Sequence, residues 1–144
     1  CIRDSLDTLH GNSPLIPELN KFECKTAIHL ANGVIESTLL RTMELRRPEC
    51  RQSKTFVNHL EARVMRGIDT MEKEREITIG DWLNGEEITT AVALSYVDFR
   101  FSTEWRKTAP TLETWFERVS CRKSMELTAP TRERPITMID KIQG

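Results

Sequence analysis

Residues 84–99 read NGEEITTAVALSYVDF, and the part from Ile88 to Phe99 is the most apolar segment of the chain. A helix that is apolar on nearly all sides is buried at the centre of a helical bundle. Asn84 is a good N-cap residue, and Glu87 follows three positions later as in a capping box, although Ser or Thr heads that box more often. We therefore predict a central, buried helix from about Gly85 to Phe99, with Asn84 and Glu87 as its structural cap.

Helical periodicity also dominates the segments before this central helix. Apolar residues recur every three or four positions in two long helices, predicted from about Glu18 to Arg46 and from about Ser53 to Glu74. Gly67 lies inside the second helix at a cost of about 1 kcal/mol relative to Ala, and a close helix–helix contact would explain it. The expected buried stripes are Cys24, Ile28, Ala31, Ile35, Leu39 and Met43 in the first helix, and Phe56, Leu60, Val64, Ile68 and Met71 in the second.

Two shorter helices are expected after the central one. The first begins near Pro110, because proline is tolerated in a first turn and Thr108 can cap it. The second covers about Ser124 to Leu127. Strand signals are nearly absent, since the best candidate, Ile77 to Ile79, is three residues long. The predicted fold class is all-α.

The two ends of the chain differ from this helical centre. Residues from about Ile2 to Leu9 are predicted to end a helix, which Gly11 stops. Leu15-Ile16-Pro17 is predicted to be an extended linker, because a residue that precedes proline avoids the helical region. Residues 131–144 are polar and are expected to pack on the surface or to be partly disordered. Since the chain opens with Cys1 and shows no signal peptide, we interpret it as a fragment or a processed piece.

Composition limits the classes of function. The chain has 144 residues and a net charge of -1, which favours one soluble domain and argues against a dedicated nucleic-acid-binding protein. No run approaches the roughly 18 apolar residues of a membrane span. No metal-ligand, P-loop, hydrolase or dinucleotide-binding pattern occurs, so we expect no metal and no tightly bound cofactor. The four cysteines are scattered without a CxxC pair, which suits a reducing, cytoplasmic compartment.

Several stretches together resemble, in order, the C-terminal half of a bacterial- or fungal-type cytosolic glutathione transferase. They are CIRDSLDTL (1–9) with PLIP (14–17), ANG (31–33) with ELRRP (44–48), ALSYVDFRF (93–101), and the closing positions Trp105, Arg106, Pro110, Leu112, Trp115, Phe116, 122–125 and 128–130. The resemblance covers nearly the whole chain. It implies a five-helix bundle over residues 18–130, preceded at 1–17 by the last helix of a thioredoxin-like domain and a linker, and followed by the tail at 131–144.

The chain departs from the family pattern at two helix starts. Asn84 and Glu87 take the places where family members often carry Ser or Thr and Asp, and Lys123 stands where a proline is common. Neither exchange threatens the fold, because Asn caps a helix as well as Ser does.

The resemblance implies a division of function between two halves. The family's glutathione site and its catalytic Ser, Tyr or Cys lie in the thioredoxin-like half, so no residue of this chain is expected to be catalytic. This half would supply the wall of the hydrophobic substrate pocket and part of a homodimer surface. The intact protein would conjugate or reduce hydrophobic electrophiles with glutathione as co-substrate, and would bind neither nucleic acid nor membrane. The alternatives are a non-catalytic interaction module, as in translation-factor and tRNA-synthetase assemblies, and an unrelated helical bundle.

Candidate binding residues lie on the first long helix and on the central one. His29, Asn32 and Glu36 are spaced by three and four, so they share one helix face. The resemblance implies that Glu36 approaches the amino group of glutathione, with Asn32 as its hydrogen-bond partner and His29 lining the pocket; the alternative is a solvated polar stripe. Tyr96 is a candidate to hydrogen-bond a ligand thiol, or else a core tyrosine with its hydroxyl at the rim. Asp98 is expected to be a buried structural carboxylate bonded to nearby amides.

Overall fold

The computed structural model describes residues 15–17, 19–74 and 83–130, and these residues form five α-helices and no strand. The helices are α1 (Lys21–Leu45), α2 (Lys54–Glu74), α3 (Gly85–Arg100), α4 (Pro110–Ser120) and α5 (Lys123–Thr128). Single 3-10 turns at Glu49–Arg51 and Glu104–Lys107 were not predicted. The predicted helix at 2–9, the strand candidate at 77–79 and the tail at 131–144 lie outside the described residues. The all-α prediction is confirmed.

Helix α1 packs along both α2 and α3, and α4 closes the bundle against α2 and α3. The core between them is built from apolar side chains of all four helices together with Trp105 from the second 3-10 turn, which is 0% exposed. The Trp105 ring meets the ring of Phe116 edge-on, with 6.1 Å between centroids. Among the described residues, no helix is long and apolar enough to cross a membrane.

The predicted buried stripe of α1 is wrong in its second half. Leu39 and Met43 are 45% and 53% exposed, and the residues buried there instead are Val34, Ser37 and Thr38. The Ser37 and Thr38 hydroxyls donate to the carbonyls four residues earlier, at 2.6 and 2.9 Å. Because these donors are satisfied within the helix, the two polar residues can be buried without leaving an unpaired group.

The prediction for α2 holds more closely. Leu60, Val64, Ile68 and Met71 are buried as expected, whereas Phe56 is exposed and Val57 takes its place. Gly67 is buried where α2 meets α1, and a Cβ atom built on it would lie 2.5 Å from Val34 Cγ2. The close helix–helix contact expected from this glycine is therefore present.

Helix α3 begins as the sequence indicates. The Asn84 side chain accepts a hydrogen bond from the Glu87 backbone N–H at 2.8 Å, and the Glu87 carboxylate accepts one from the Asn84 N–H at 2.9 Å. The helix is not buried on every side, however, because Ile88 and Val92 remain exposed at successive turns. One apolar face of α3 is thus uncovered by the described residues.

Helix α4 begins at Pro110 as predicted, but Thr108 does not cap it. Ala109 is its N-cap residue and makes no side-chain cap, while the Thr108 hydroxyl donates to the Trp105 carbonyl. The free N–H groups of Thr111 and Leu112 instead donate to the Glu72 carboxylate of α2, at 3.0 and 2.7 Å. A carboxylate at a helix N-terminus satisfies these donors and complements the helix dipole, so Glu72 both caps α4 and ties it to α2.

Asp98 is structural, but its partners are not amides. Its Oδ1 atom accepts from Trp105 Nε1 at 2.8 Å and from the Arg106 guanidinium at 2.7 Å, and its Oδ2 atom accepts from the same guanidinium at 2.6 Å. This bidentate pair fixes the second 3-10 turn against the end of α3 and satisfies the indole N–H of the buried Trp105.

Candidate functional site

The described linker residues are anchored to the start of α3. The Leu15 carbonyl accepts a hydrogen bond from the Gly85 N–H at 2.6 Å, and the Cys24 thiol of α1 lies 3.9 Å from the same oxygen. Leu15 is therefore held beside the first turns of α1 and α3. Two side chains at the start of α1, Leu19 and Phe22, are 95% and 84% exposed next to this junction.

The structure places His29, Asn32 and Glu36 together on the solvent-exposed face of α1. None of the three is buried. The face is not a purely polar stripe, because it continues along the helix into the exposed side chains of Leu39 and Met43. A mixed polar and apolar helix face of this kind is accessible to a ligand or to a partner.

His29 borders a groove between α1 and α2 with a volume of about 430 Å³. Asn32 and Glu36 are not among its lining residues. Two glycines leave the groove open because they have no side chain, and two arginines give it positive charge. The lining residues are His29, Leu30, Gly33, Val34, Arg63, Arg66, Gly67 and Thr70.

Arg63 and Arg66 were missed by the sequence analysis. No carboxylate lines the groove, and within the described ranges neither guanidinium takes part in an ion pair. Their spacing of three places both on one side of α2. Their position opposite His29 depends on how α1 and α2 cross, so no local sequence signal could have identified this basic groove.

Tyr96 lies elsewhere, half-buried at a second groove of about 200 Å³ between α3 and the end of α5. The other lining residues are mostly apolar: Val92, Ser95, Met125, Thr128, Ala129 and Pro130. The four candidate binding residues therefore do not form one cluster. Three share the open face of α1, and Tyr96 belongs to an apolar groove on α3.

The two carboxylates with shifted pKa values lie at helix ends, outside this candidate site. The backbone N–H of Ser53 and the side chain of Arg47 lower the pKa of Glu44, which lies in the last turn of α1. Burial works to raise the pKa of Glu72, but hydrogen bonds from Thr111 and Leu112 outweigh it, so the pKa is lowered. Among the described residues, no three His, Cys, Asp or Glu side chains come together as a metal site requires.

Comparison with known proteins gives matches among solved structures. A glutathione transferase family member from Pseudomonas fluorescens Pf-5, solved with bound S-(propanoic acid)-glutathione, is 30% identical, with a TM-score of 0.83 over 90% of this chain and 69% of that chain. Its structure with bound glutathione matches with a TM-score of 0.84, covering 90% and 65% of the two chains. No family model and no curated protein matches the chain.

A second relative agrees with the first. A glutathione S-transferase from Methylobacillus flagellatus KT, solved with glutathione bound, is 26% identical, with a TM-score of 0.77 over 88% of this chain and 66% of that chain. The chain thus spans about two thirds of the length of the structures it matches. It belongs to the glutathione transferase family, and its helical fold is consistent with that of the family's C-terminal domain.

Proposed function

We propose that this chain is the C-terminal helical half of a glutathione transferase. The observation that carries the proposal is the match, at 30% identity over 90% of the chain, to a family member solved with glutathione and with a glutathione conjugate bound. Joined to a thioredoxin-like half, the helical half would act on electrophiles with glutathione as co-substrate. In that reaction the glutathione thiolate attacks an electrophilic carbon or sulfur, and the leaving group departs with its bonding electrons.

The contribution of this half is to bind and not to react. The apolar groove around Val92, Tyr96 and Met125 supports a role as wall of the hydrophobic-substrate pocket, because apolar side chains hold an electrophile and exclude water. Tyr96 brings the one phenol of the chain to that wall. No side chain of the described part is assigned a catalytic role.

The open face of α1 supports the proposed contact with glutathione. Glu36 is exposed on a long helix whose opposite face is fixed in the core, so its carboxylate is accessible and its backbone is held. A carboxylate there can accept a charge-assisted hydrogen bond from the glutathione ammonium group. Asn32 lies one turn away as a second polar partner, and His29 borders the adjoining groove.

The same face of α1 supports a homodimer surface. Leu39 and Met43 are about half exposed there, as apolar side chains at a protein interface are before the partner covers them.

The cysteines support a cytoplasmic protein. Cys50 and Cys121 are exposed thiols with no disulfide in the described part of the chain, which suits a reducing compartment.

The proposed glutathione contact is tested by Glu36→Gln in the intact protein. Losing a charge-assisted hydrogen bond of about 1.5–3 kcal/mol raises the glutathione KM by about 10- to 150-fold. The matched control is Glu117→Gln, which removes an exposed carboxylate from α4 and leaves KM unchanged. Unchanged KM and kcat for Glu36→Gln would remove Glu36 from the site. A wild-type protein without glutathione-dependent turnover would instead favour a non-catalytic interaction module.

A further inference from the structure

The hydrogen bond between Gly85 and Leu15 joins the start of α3 to the linker. Gly85 is the first residue of α3, and the N–H groups of a first helical turn have no partner within their own helix. Side chains or water usually satisfy them. Here the Gly85 N–H donates to the linker carbonyl of Leu15 at 2.6 Å, so the start of the central helix and the linker share one contact.

Close packing explains why residue 85 is a glycine. Its φ angle is outside the left-handed region that favours glycine, so the backbone conformation alone would accept any residue. A Cβ atom built on Gly85, however, would lie 3.0 Å from the Leu15 oxygen and 3.3 Å from Ile28 Cδ1. A side chain at this position would therefore press on the Leu15 carbonyl and on the end of the Ile28 side chain, and the linker would have to shift slightly to make room.

The donor is held in place independently of the linker. The reciprocal hydrogen bonds of Asn84 and Glu87 fix the backbone on either side of Gly85. The Leu15 oxygen is also approached from α1, where the Cys24 thiol lies 3.9 Å away. The Leu15 carbonyl thus lies between α1 and α3, the two helices that carry the candidate binding residues.

We propose that Gly85 is a positioning residue for the reaction between glutathione and the electrophile, which the two halves hold. Its N–H and its missing side chain hold the linker at Leu15, and so set where the preceding half begins relative to the pocket wall on α3. The inference rests on the proposed function, in which glutathione and the electrophile are held by different halves. Displacing the linker then alters the distance between them, while each half keeps its own binding groups.

Two substitutions separate this role from helix stability. Gly85→Ala keeps the N–H and adds the crowding Cβ. Gly85→Pro removes the donor, yet proline is favoured at the first position of a helix and the preceding Asn84 already has the extended backbone that proline requires. The control is Ile68→Val, a fully buried position on α2 that destabilises the core without touching the linker.

In the intact protein, both Gly85 variants are expected to lower kcat by about tenfold, because small misplacements of reacting groups carry rate losses up to about 10²-fold. The KM values for glutathione and for the electrophile stay near their wild-type values, because each half keeps its own binding groups. Ile68→Val lowers the melting temperature and leaves kcat and both KM values unchanged. Wild-type kcat in both Gly85 variants would overturn the inference while leaving the proposed function intact.

A measurement on the 144-residue chain tests the contact itself. Hydrogen exchange resolved at the Gly85 amide by NMR should show at least about tenfold protection relative to an exposed first-turn amide, since a hydrogen-bonded amide exchanges only when the bond opens. Exchange at the unprotected rate would overturn the inference. Protection together with an intact protein that lacks glutathione-dependent turnover would mean that the linker is held but that the proposed function is wrong.

Discussion

Gly67→Ala tests the helix crossing on which the bundle depends. The new Cβ would stand 2.5 Å from Val34 Cγ2, whereas ordinary carbon–carbon contacts lie at about 3.5–4.0 Å. Val34 is β-branched and 2% exposed, so it cannot turn away and α1 must move from α2. Overpacking of this kind costs about 1–3 kcal/mol, and the better helix propensity of Ala returns about 1 kcal/mol. We expect a net loss of about 0–2 kcal/mol in the free energy of unfolding.

The assay is urea unfolding followed by tryptophan fluorescence, with Gly33→Ala as the matched control. A Cβ at Gly33 meets one side-chain atom, Arg63 Nη2, at 3.9 Å, so that variant should gain up to about 1 kcal/mol from propensity alone. The double variant Val34→Ala/Gly67→Ala should show a favourable coupling energy of at least about 0.5 kcal/mol, because the first change makes room for the second. Stabilisation by Gly67→Ala similar to that by Gly33→Ala would refute the close crossing.

Three further predictions concern polar groups at helix ends. Asp98→Asn should lower the free energy of unfolding by about 2 kcal/mol, because it breaks a partly buried charge-assisted pair with Arg106. Lys107→Gln, which breaks an exposed pair, should change that free energy by no more than about 0.5 kcal/mol. Urea titration measures both values, and equal effects would contradict the structural role of Asp98. Since the pKa of Glu72 is lowered in the folded protein, its contribution is complete above the ordinary value of 4.5 and is lost as the pH falls through the lower folded pKa. Glu72→Gln should therefore flatten the decline of stability with acid, and an unaltered pH profile would exclude this linkage. Asn84→Ala should cost about 1 kcal/mol through loss of the α3 cap, and an unchanged thermal melt would count against it.

Helix positions could be predicted because their signals are local. The start of α3 followed from Asn84 and Glu87 alone, and the start of α4 followed from Pro110. The predicted bounds of α1 and α2 agree with the structure to within three residues, because the apolar period is sustained over many turns.

The buried face of a helix and the partners of its ends depend on packing. Leu39 and Met43 fit an apolar stripe, but the residues buried in that part of α1 are Val34, Ser37 and Thr38, and hydroxyls bonded to their own helix do not signal burial in the sequence. The cap of α4 was missed for a similar reason, because Glu72 lies about forty residues before the N–H groups it accepts from.

The candidate site was predictable only in part. The spacing of His29, Asn32 and Glu36 predicted one shared face, and the structure shows that face exposed. Neither the grouping of His29 with Arg63 and Arg66 nor the distance of Tyr96 from them follows from spacing, since both depend on how the helices cross.

The most direct test of the family-based function is glutathione-dependent turnover of an activated aryl halide by the intact protein. The account predicts that thioether product accumulates in proportion to enzyme, saturates with glutathione, and is abolished when the thioredoxin-like half is removed to leave this 144-residue chain. A folded intact protein that forms no product above the uncatalysed rate, with that halide or with a disulfide acceptor, would contradict the central claim.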